Sequence, residues 1–289
     1  MANFYAYTEL DMRLTDSGVT GPPLYVYGTP TTETIAYKSY DGSVYCEATG
    51  RFDLYSPYLS DSYVYSMDFW LYNAYSLHIG EINMSAEAIS NISESSDMFP
   101  TIFSGDDVLV GGKNETYSVA LMGYDGKDHI SGTAAGDWLH GQHGSDTITG
   151  YSGNDVIRGG HGHDYLDGDS GADYLWGGIG ANWLSAGDDY EYDDLIVPAD
   201  RVNNLTNGNP GGLNADLLFE VGPEDRIWVH GVSDSTLTYA DNIFHPLDSS
   251  YEHQGIGIYS NGVLEAVVVS DRYSITTERI DEITTGGFF

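Results

Sequence analysis

The sequence is short of positive charge: 10 Lys and Arg stand against 44 Asp and Glu, for a net charge of −34. A chain of that sign does not seek nucleic acid, whose phosphates it would repel, and draws cations instead. Cysteine is almost absent. Cys46 stands alone, so there is no internal disulfide, and without a Cys-x-x-Cys pair redox and structural zinc chemistry have no support. No apolar run approaches the ~18 residues of a membrane-crossing helix. The opening stretch MANFYAYTELDMRLTD lacks the basic region and apolar run of a cleavable secretory leader. The zinc-protease motif H-E-x-x-H and the nucleophile elbow G-x-S-x-G are both missing. High net charge on its own suggests disorder, but 24 Tyr, 9 Phe and 5 Trp indicate a chain that mostly folds.

What is present is a repeat. Residues 123 to 185 are a nine-residue unit written seven times without a gap: GYDGKDHIS, GTAAGDWLH, GQHGSDTIT, GYSGNDVIR, GGHGHDYLD, GDSGADYLW and GGIGANWLS. Position one is always Gly. Position eight is always Ile or Leu, from Ile130 to Leu184. Position six is Asp128, Asp137, Asp146, Asp155, Asp164 and Asp173, then Asn182. Position four is Gly126, Gly144, Gly153, Gly162, Gly171 and Gly180, with Ala135 as the exception.

Glycine at fixed places lets a loop adopt positive backbone angles and bring its carbonyls together, while a triplet such as Tyr165-Leu166-Asp167 makes a short strand. Alternation along the strand turns the middle residue inward and its neighbours outward. With two units to a turn, Asp128, Asp146 and Asp164 fall into one column and Asp137, Asp155 and Asp173 into another, at roughly the 5 Å strand spacing. At that distance two carboxylates repel by about 1 kcal/mol in a water-like dielectric and about 3 kcal/mol at an effective dielectric of 20. A cation has to sit between them. Lys127 and Arg158 are too few, and a hard divalent ion that takes six to eight oxygens from carboxylates and carbonyls fits: calcium, in several copies.

The units resemble the G-G-x-G-x-D-x-U-x nonapeptide of the repeats-in-toxin (RTX) proteins, also called the hemolysin-type calcium-binding repeat. The resemblance implies a parallel β-roll with calcium between loops n and n+2, held by position-six aspartates and loop carbonyls. Carried onto this chain, the metal ligands are Asp128, Asp137, Asp146, Asp155, Asp164 and Asp173, with carbonyls of Gly126, Gly144, Gly153, Gly162 and Gly171. Asn182 would offer a neutral oxygen and Ala135 would distort its loop, so sites using them are expected to be weaker or empty. The resemblance further implies type I secretion through an uncleaved C-terminal signal. The ending Gly286-Gly287-Phe288-Phe289 has the apolar residues of such a signal but not the acid that often precedes them.

The whole chain reads as all-β, in three parts. Residues 1–102 form an N-terminal antiparallel β-domain, with alternation in Ser43 to Ala48 and in Tyr63 to Tyr72. Its tyrosines either cover a solvated face or dock on sugars or a partner. Residues 85 to 97 are Ser- and acid-rich and read as a short helix or loop. Residues 103–197 form the roll with degenerate flanking repeats. There Asp107 takes the ligand position and Leu109 the buried one, and Lys113 to Met122 breaks the phase as a capping turn. Residues 198–289 form a C-terminal β cap with the secretion signal. In it, residues 200 to 212 are a loop and Asn261-Gly262 is a type I′ hairpin turn. Thr277 caps a short helix that carries Ile280 and Ile283 on one face.

Rival chemistries have less behind them. His143 and His161 share position three and should stack, near His140 and His163, where zinc or copper could bind; solvated loop histidines are the plainer reading. No catalytic residue is assigned. The reading is a secreted or cell-surface, calcium-binding protein without enzymatic activity, whose N-terminal domain binds a surface, glycan or protein partner. The alternatives are an extracellular polysaccharide-acting enzyme with acids on that domain, or a structural subunit of a surface layer or virus particle.

Overall fold

The computed structural model describes residues 103–187, 189–199, 214–243, 254–269 and 276–287 in full, and the backbone of the strands named below in residues 1–102 and at Phe244. Within the repeats the local rule is visible at once. Each strand of the central units runs through positions seven to nine and on into the first three positions of the next unit, as in Tyr165–Ser170. Leu166 and Gly168 face inward while their neighbours face out. The strands are therefore longer than the triplets expected, because the position-one glycine continues the pleat with its missing side chain turned into the interior. The turn comes afterwards, at two places of positive φ. Position four is Gly144 or Gly162, at 133° and 138°. Position two tolerates other residues there, with Gln142 and Tyr151 both at 78°.

Among the described residues before Phe103 the strands are β1 (Asn3–Ala6), β2 (Leu10–Asp11), β3 (Leu24–Tyr27), β4 (Thr34–Ser39), β5 (Val44–Arg51), β6 (Tyr63–Leu71), β7 (Ala74–Gly80) and β8 (Met84–Ser85). The expected alternating runs are thus β5 and β6, and β3 to β7 pair antiparallel in the order β7-β6-β5-β4-β3. The helix or loop expected over residues 85 to 97 lies, apart from Ser85, outside the described residues, as does the loop of residues 200 to 212.

The roll begins before the first perfect unit. β9 (Val108–Val110) and β10 (Val119–Asp125) are its first rungs, so the stretch expected to be a capping turn ends in a strand. Val119 and Leu121 are apolar at the right parity, and that outweighs the broken period. Then come β11 (His129–Ser131), β12 (Trp138–His143), β13 (Thr147–Ser152), β14 (Val156–His161), β15 (Tyr165–Ser170), β16 (Tyr174–Ile179), β17 (Trp183–Ser185) and β18 (Asp194–Pro198). Odd strands pair parallel on one sheet and even strands on the other. Leu109, Ile130, Ile148, Leu166 and Leu184 are in register on the first, and Leu139, Ile157, Leu175 and Leu195 on the second. All of these are fully buried, in one continuous core. At about 2 kcal/mol for each buried Ile or Leu, this stripe is the main apolar contribution the repeats have.

The ladders run on past Val197. β19 (Asp216–Phe219) pairs parallel with β17, and β20 (Arg226–His230) pairs parallel with β18. A three-stranded meander of β21 (Leu237–Phe244), β22 (Gln254–Ser260) and β23 (Val263–Val268) then closes the first sheet on β19. The β22-β23 hairpin turns at Asn261 and Gly262, both at positive φ (51° and 81°), as the type I′ turn requires. Helix α1 (Thr277–Ile283) buries Ile280 and Ile283 as expected, but its cap is Thr276, whose side chain accepts the Arg279 N–H. β24 (Thr284–Gly287) completes the second sheet on β20. At the other end β1 lies parallel to β9 and β2 parallel to β10, so residues near the N-terminus form a rung of the roll. β1 is also antiparallel to β7, which makes the N-terminal sheet and one roll sheet a single hydrogen-bonded surface.

Candidate metal centre

The position-six aspartates are buried because the residue two places later is the inward Ile or Leu and the chain enters the strand between them. Asp128, Asp146, Asp155, Asp164 and Asp173 are at most 2% exposed. Each uses one carboxylate oxygen to hold the rung before it. The backbone N–H of Asp128 donates to Oδ1 of Asp146 (2.8 Å), that of Asp146 to Asp164 (2.9 Å), that of Asp137 to Asp155 (2.7 Å) and that of Asp155 to Asp173 (2.8 Å). Two columns of carboxylates result, joined rung to rung by backbone donors.

The second oxygen is the informative one. Oδ2 of Asp128, Asp146, Asp155, Asp164 and Asp173 is buried with no hydrogen-bond donor. A buried carboxylate oxygen without a donor is costly to keep charged, and each of these could hold a cation. Asn182 shows what that oxygen faces. Its Oδ1 accepts the Asp164 N–H (3.0 Å), and its Nδ2 donates to Oδ1 of Asp216 (3.0 Å) and lies 3.4 Å from the carbonyls of Gly178 and Gly180. In the Asp units an oxygen stands where this nitrogen stands: a methyl group built on Gly177 would lie 2.6 Å from Nδ2 of Asn182, and one built on Gly159 would lie 2.3 Å from Oδ2 of Asp164. The second would also be 2.5 Å from the Gly177 carbonyl. Acceptors thus face acceptors across space that no side chain can fill. Among the described residues no three His, Cys, Asp or Glu side chains gather into a metal cluster, so backbone carbonyls have to complete any coordination shell.

Two expected ligands behave differently. Asn182 turns its oxygen to the Asp164 N–H and gives its amide nitrogen to Oδ1 of Asp216 and, more weakly, to the loop carbonyls. Asp137 has no donorless oxygen: its Oδ2 accepts the Thr133 N–H (2.6 Å) and hydroxyl (3.1 Å). Thr133 replaces the more permissive residue of position two and ties off the loop whose fourth residue is Ala135, donating its hydroxyl also toward the Tyr117 carbonyl (2.9 Å). Gly126, Gly144, Gly153, Gly162 and Gly171 all sit at positive φ with the preceding loop of the same stack pressed on them. A methyl on Gly144 would lie 1.4 Å from the Gly126 carbonyl oxygen. Only glycine lets the loops stack this closely.

Burial and neighbouring carboxylates raise these acids. Asp128 and Asp155 are pushed up to about 8, first by desolvation and then by the charges of adjacent aspartates. Desolvation takes Asp164 and Asp173 to about 7, and Asp146 to about 6 with His143 pulling the other way. Asp137 is raised by desolvation against the Thr133 bonds. Without a cation the columns therefore favour protons over charge.

Sequence reasoning missed part of each column. Asp107 continues the first column: its N–H donates to Oδ1 of Asp128 (2.9 Å). Beyond the seven units, however, Asp193 accepts the Asp173 N–H (2.8 Å), Asp225 accepts the Asp193 N–H (3.1 Å) and Asp216 accepts the Asn182 N–H (2.8 Å). The period is lost there, but a signal survives. Asp193-Asp194-Leu195, Asp216-Leu217-Leu218 and Asp225-Arg226-Ile227 each keep an Asp two residues before the buried Leu or Ile.

The histidines do not assemble a centre of their own among the described residues. His143 and His161 stack as expected, with ring centroids 5.2 Å apart, and His143 pairs with Asp125 (3.0 Å) on the exposed surface. His163 accepts the Ala181 N–H (3.0 Å). His140 packs edge-on to Trp138 and is lowered to about 4 by burial, Arg158 and His143.

Comparison with known families agrees with this geometry. The model of the RTX calcium-binding nonapeptide repeat matches in four copies, over residues 122–157, 141–175 and 149–184. No curated protein matches the chain.

Proposed function

We propose, for a chain that carries RTX calcium-binding nonapeptide repeats, that calcium outside the cell is the signal that folds it. The protein is secreted, reaches the exterior unfolded, and closes its roll when ions enter the two columns. The observation that carries this reading is the set of five buried Oδ2 atoms without donors. Asp128, Asp146, Asp155, Asp164 and Asp173 would hold the ions, together with loop carbonyls of Gly126, Gly144, Gly153, Gly162 and Gly171 from the same loop stacks. Calcium would supply charge neutralisation between rungs, and because the site exists only in the folded chain, its binding free energy becomes folding free energy. Millimolar calcium outside and its scarcity inside set the direction.

In this reading the protein is a binding or spacing module. The roll is a rigid rod, continuous by hydrogen bonds with the N-terminal antiparallel sheet, and presents that sheet to a surface, a glycan or a partner protein. Circular dichroism with calcium and with excess chelator tests the core of it. Chelation should abolish much of the β-sheet signal and returned calcium should restore it; superimposable spectra would sink the proposal.

A further inference from the structure

Away from the core, β12, β14 and β16 present Trp138, His140, Val156, Arg158, Tyr174 and Trp176, with glutamine or glycine at the remaining outward places. In a chain with 44 acids, no acid stands outward on the middle of these three strands. Arg158 occupies the centre, in register with His140 on one side and Trp176 on the other. The other arginines whose side chains are described have carboxylate partners, Arg226 in Asp194 and Arg279 in Glu282 (both 2.8 Å). Arg158 has none. No described residue is hydrogen-bonded or ion-paired to it, its Nε is buried without an acceptor, and the guanidinium carbon lies 5.5 Å from the centre of the Trp176 ring. Tyr174 is a second donor of this kind. It sits on the neighbouring strand opposite Val156, two places before the residue that faces Arg158. Burial raises its phenol and the Arg158 charge draws it back, with no hydrogen bond contributing. Guanidinium and hydroxyl are thus near enough to sense each other, and neither has an acceptor among the described residues.

Charge and size decide what these donors take. A guanidinium presents parallel N–H groups that match a carboxylate, and a phenol beside it adds a further donor. His140 is held low, at about 4, by burial and then by Arg158 and His143, so it is neutral near pH 7 and Arg158 is the single charge of the patch. Anions of higher charge are turned away, because the chain as a whole is at −34 and the residue in register with Tyr174 on the next strand is Asp194. The patch is also narrow. His140 and Trp176 are two strand spacings apart, about 10 Å. Past His140 the outward residues Ala120 and Met122 are already buried, and past Tyr174 the Asp194 carboxylate is held by Arg226 and Trp228. That leaves room for one ring-sized molecule, well short of the roughly 800 Å² that a stable protein partner covers. We infer that Arg158 and Tyr174 form a receptor for the carboxylate of one small organic acid, whose apolar body lies along Val156. The inference needs only the folded chain and rests neither on the ion in the columns nor on the N-terminal sheet.

The test is a titration of the full chain in calcium, read in proton–nitrogen NMR spectra of its 5 indole groups, with the Trp176 signal identified through Trp176→Phe. Benzoate and cyclohexanecarboxylate are the probes. Benzamide is the uncharged arm, inorganic phosphate and phthalate are the arms of higher charge, and a dichroism spectrum of each sample reports the fold. A saturable shift of the Trp176 indole is expected with at least one monocarboxylate, absent with benzamide and weaker with phosphate and phthalate. Arg158→Gln should weaken binding about tenfold or more and Tyr174→Phe about threefold or more. Lys127→Gln, which removes an exposed positive charge from a loop, should leave it unchanged. Absence of a saturable shift with both monocarboxylates in a folded sample overturns the proposal. So does an equal response to benzamide, tighter binding of phosphate or phthalate, or affinity that survives Arg158→Gln.

Discussion

A single carboxylate in the columns has two separable jobs, and substitution can divide them. Asp155 accepts the Asp137 N–H through Oδ1 and leaves Oδ2 without a donor. In Asp155→Asn the first job survives and the charge goes, as Asn182 already demonstrates in its own unit. The variant should bind fewer calcium ions, or bind them more weakly, while its ion-free form becomes easier to fold. Asp155→Ala loses both jobs and should be destabilised further, by about 1–3 kcal/mol for the stranded N–H. Calorimetric calcium titration beside thermal melts distinguishes them. Equal calcium affinity for Asp155→Asn and the parent would remove Asp155 from the ligand set.

At the scale of elements, the ends of the roll matter because a parallel sheet exposes unpaired backbone at its first and last strands. β1 and β2 cover β9 and β10 at one end, while β23 and β24 cover β19 and β20 at the other. This is the capping that repeat arrays require, supplied here by segments with no repeat signature. Deleting residues 1–11 should expose the edges of β9 and β10, lower the calcium-loaded melting temperature and promote association. A melt with light scattering on the truncated chain checks this. An unchanged melting temperature would mean that the N-terminal rung adds nothing to the roll.

For the whole molecule the raised aspartates of the two columns link folding to pH, and under the proposed function to calcium as well. In the ion-free fold Asp128 and Asp155 titrate at about 8, Asp164 and Asp173 at about 7 and Asp146 at about 6. In the unfolded chain an Asp titrates near about 3.9. The folded form therefore holds more protons between those values. Its ion-free stability is fully present below about pH 4 and is lost as pH rises through about 6 to 8. Calcium has to displace those protons, so its apparent affinity should fall as pH falls through the same window. In chelator, acidification from about pH 8 to about pH 5 should recover β-sheet dichroism. A flat pH response in chelator, or calcium affinity that does not change between about pH 8 and about pH 6, would contradict the linkage.

Much of this architecture was legible in the chain because it follows from local spacing. A nine-residue unit with Gly at one and four, Asp at six and an aliphatic at eight determines which residues turn, which face inward and which line up two units later. None of that requires knowledge of distant partners. The tertiary structure alone decided the rest. The outer rungs are recruited across 20 to 34 residues, as in Asp173 to Asp193 and Asn182 to Asp216, because a free strand edge takes whatever segment satisfies its hydrogen bonds. It also decided which oxygen of Asp128, Asp146, Asp155, Asp164 and Asp173 lacks a donor and that Thr133 supplies donors to Asp137. Those outcomes depend on distances between loops, and no reading along a single chain contains them.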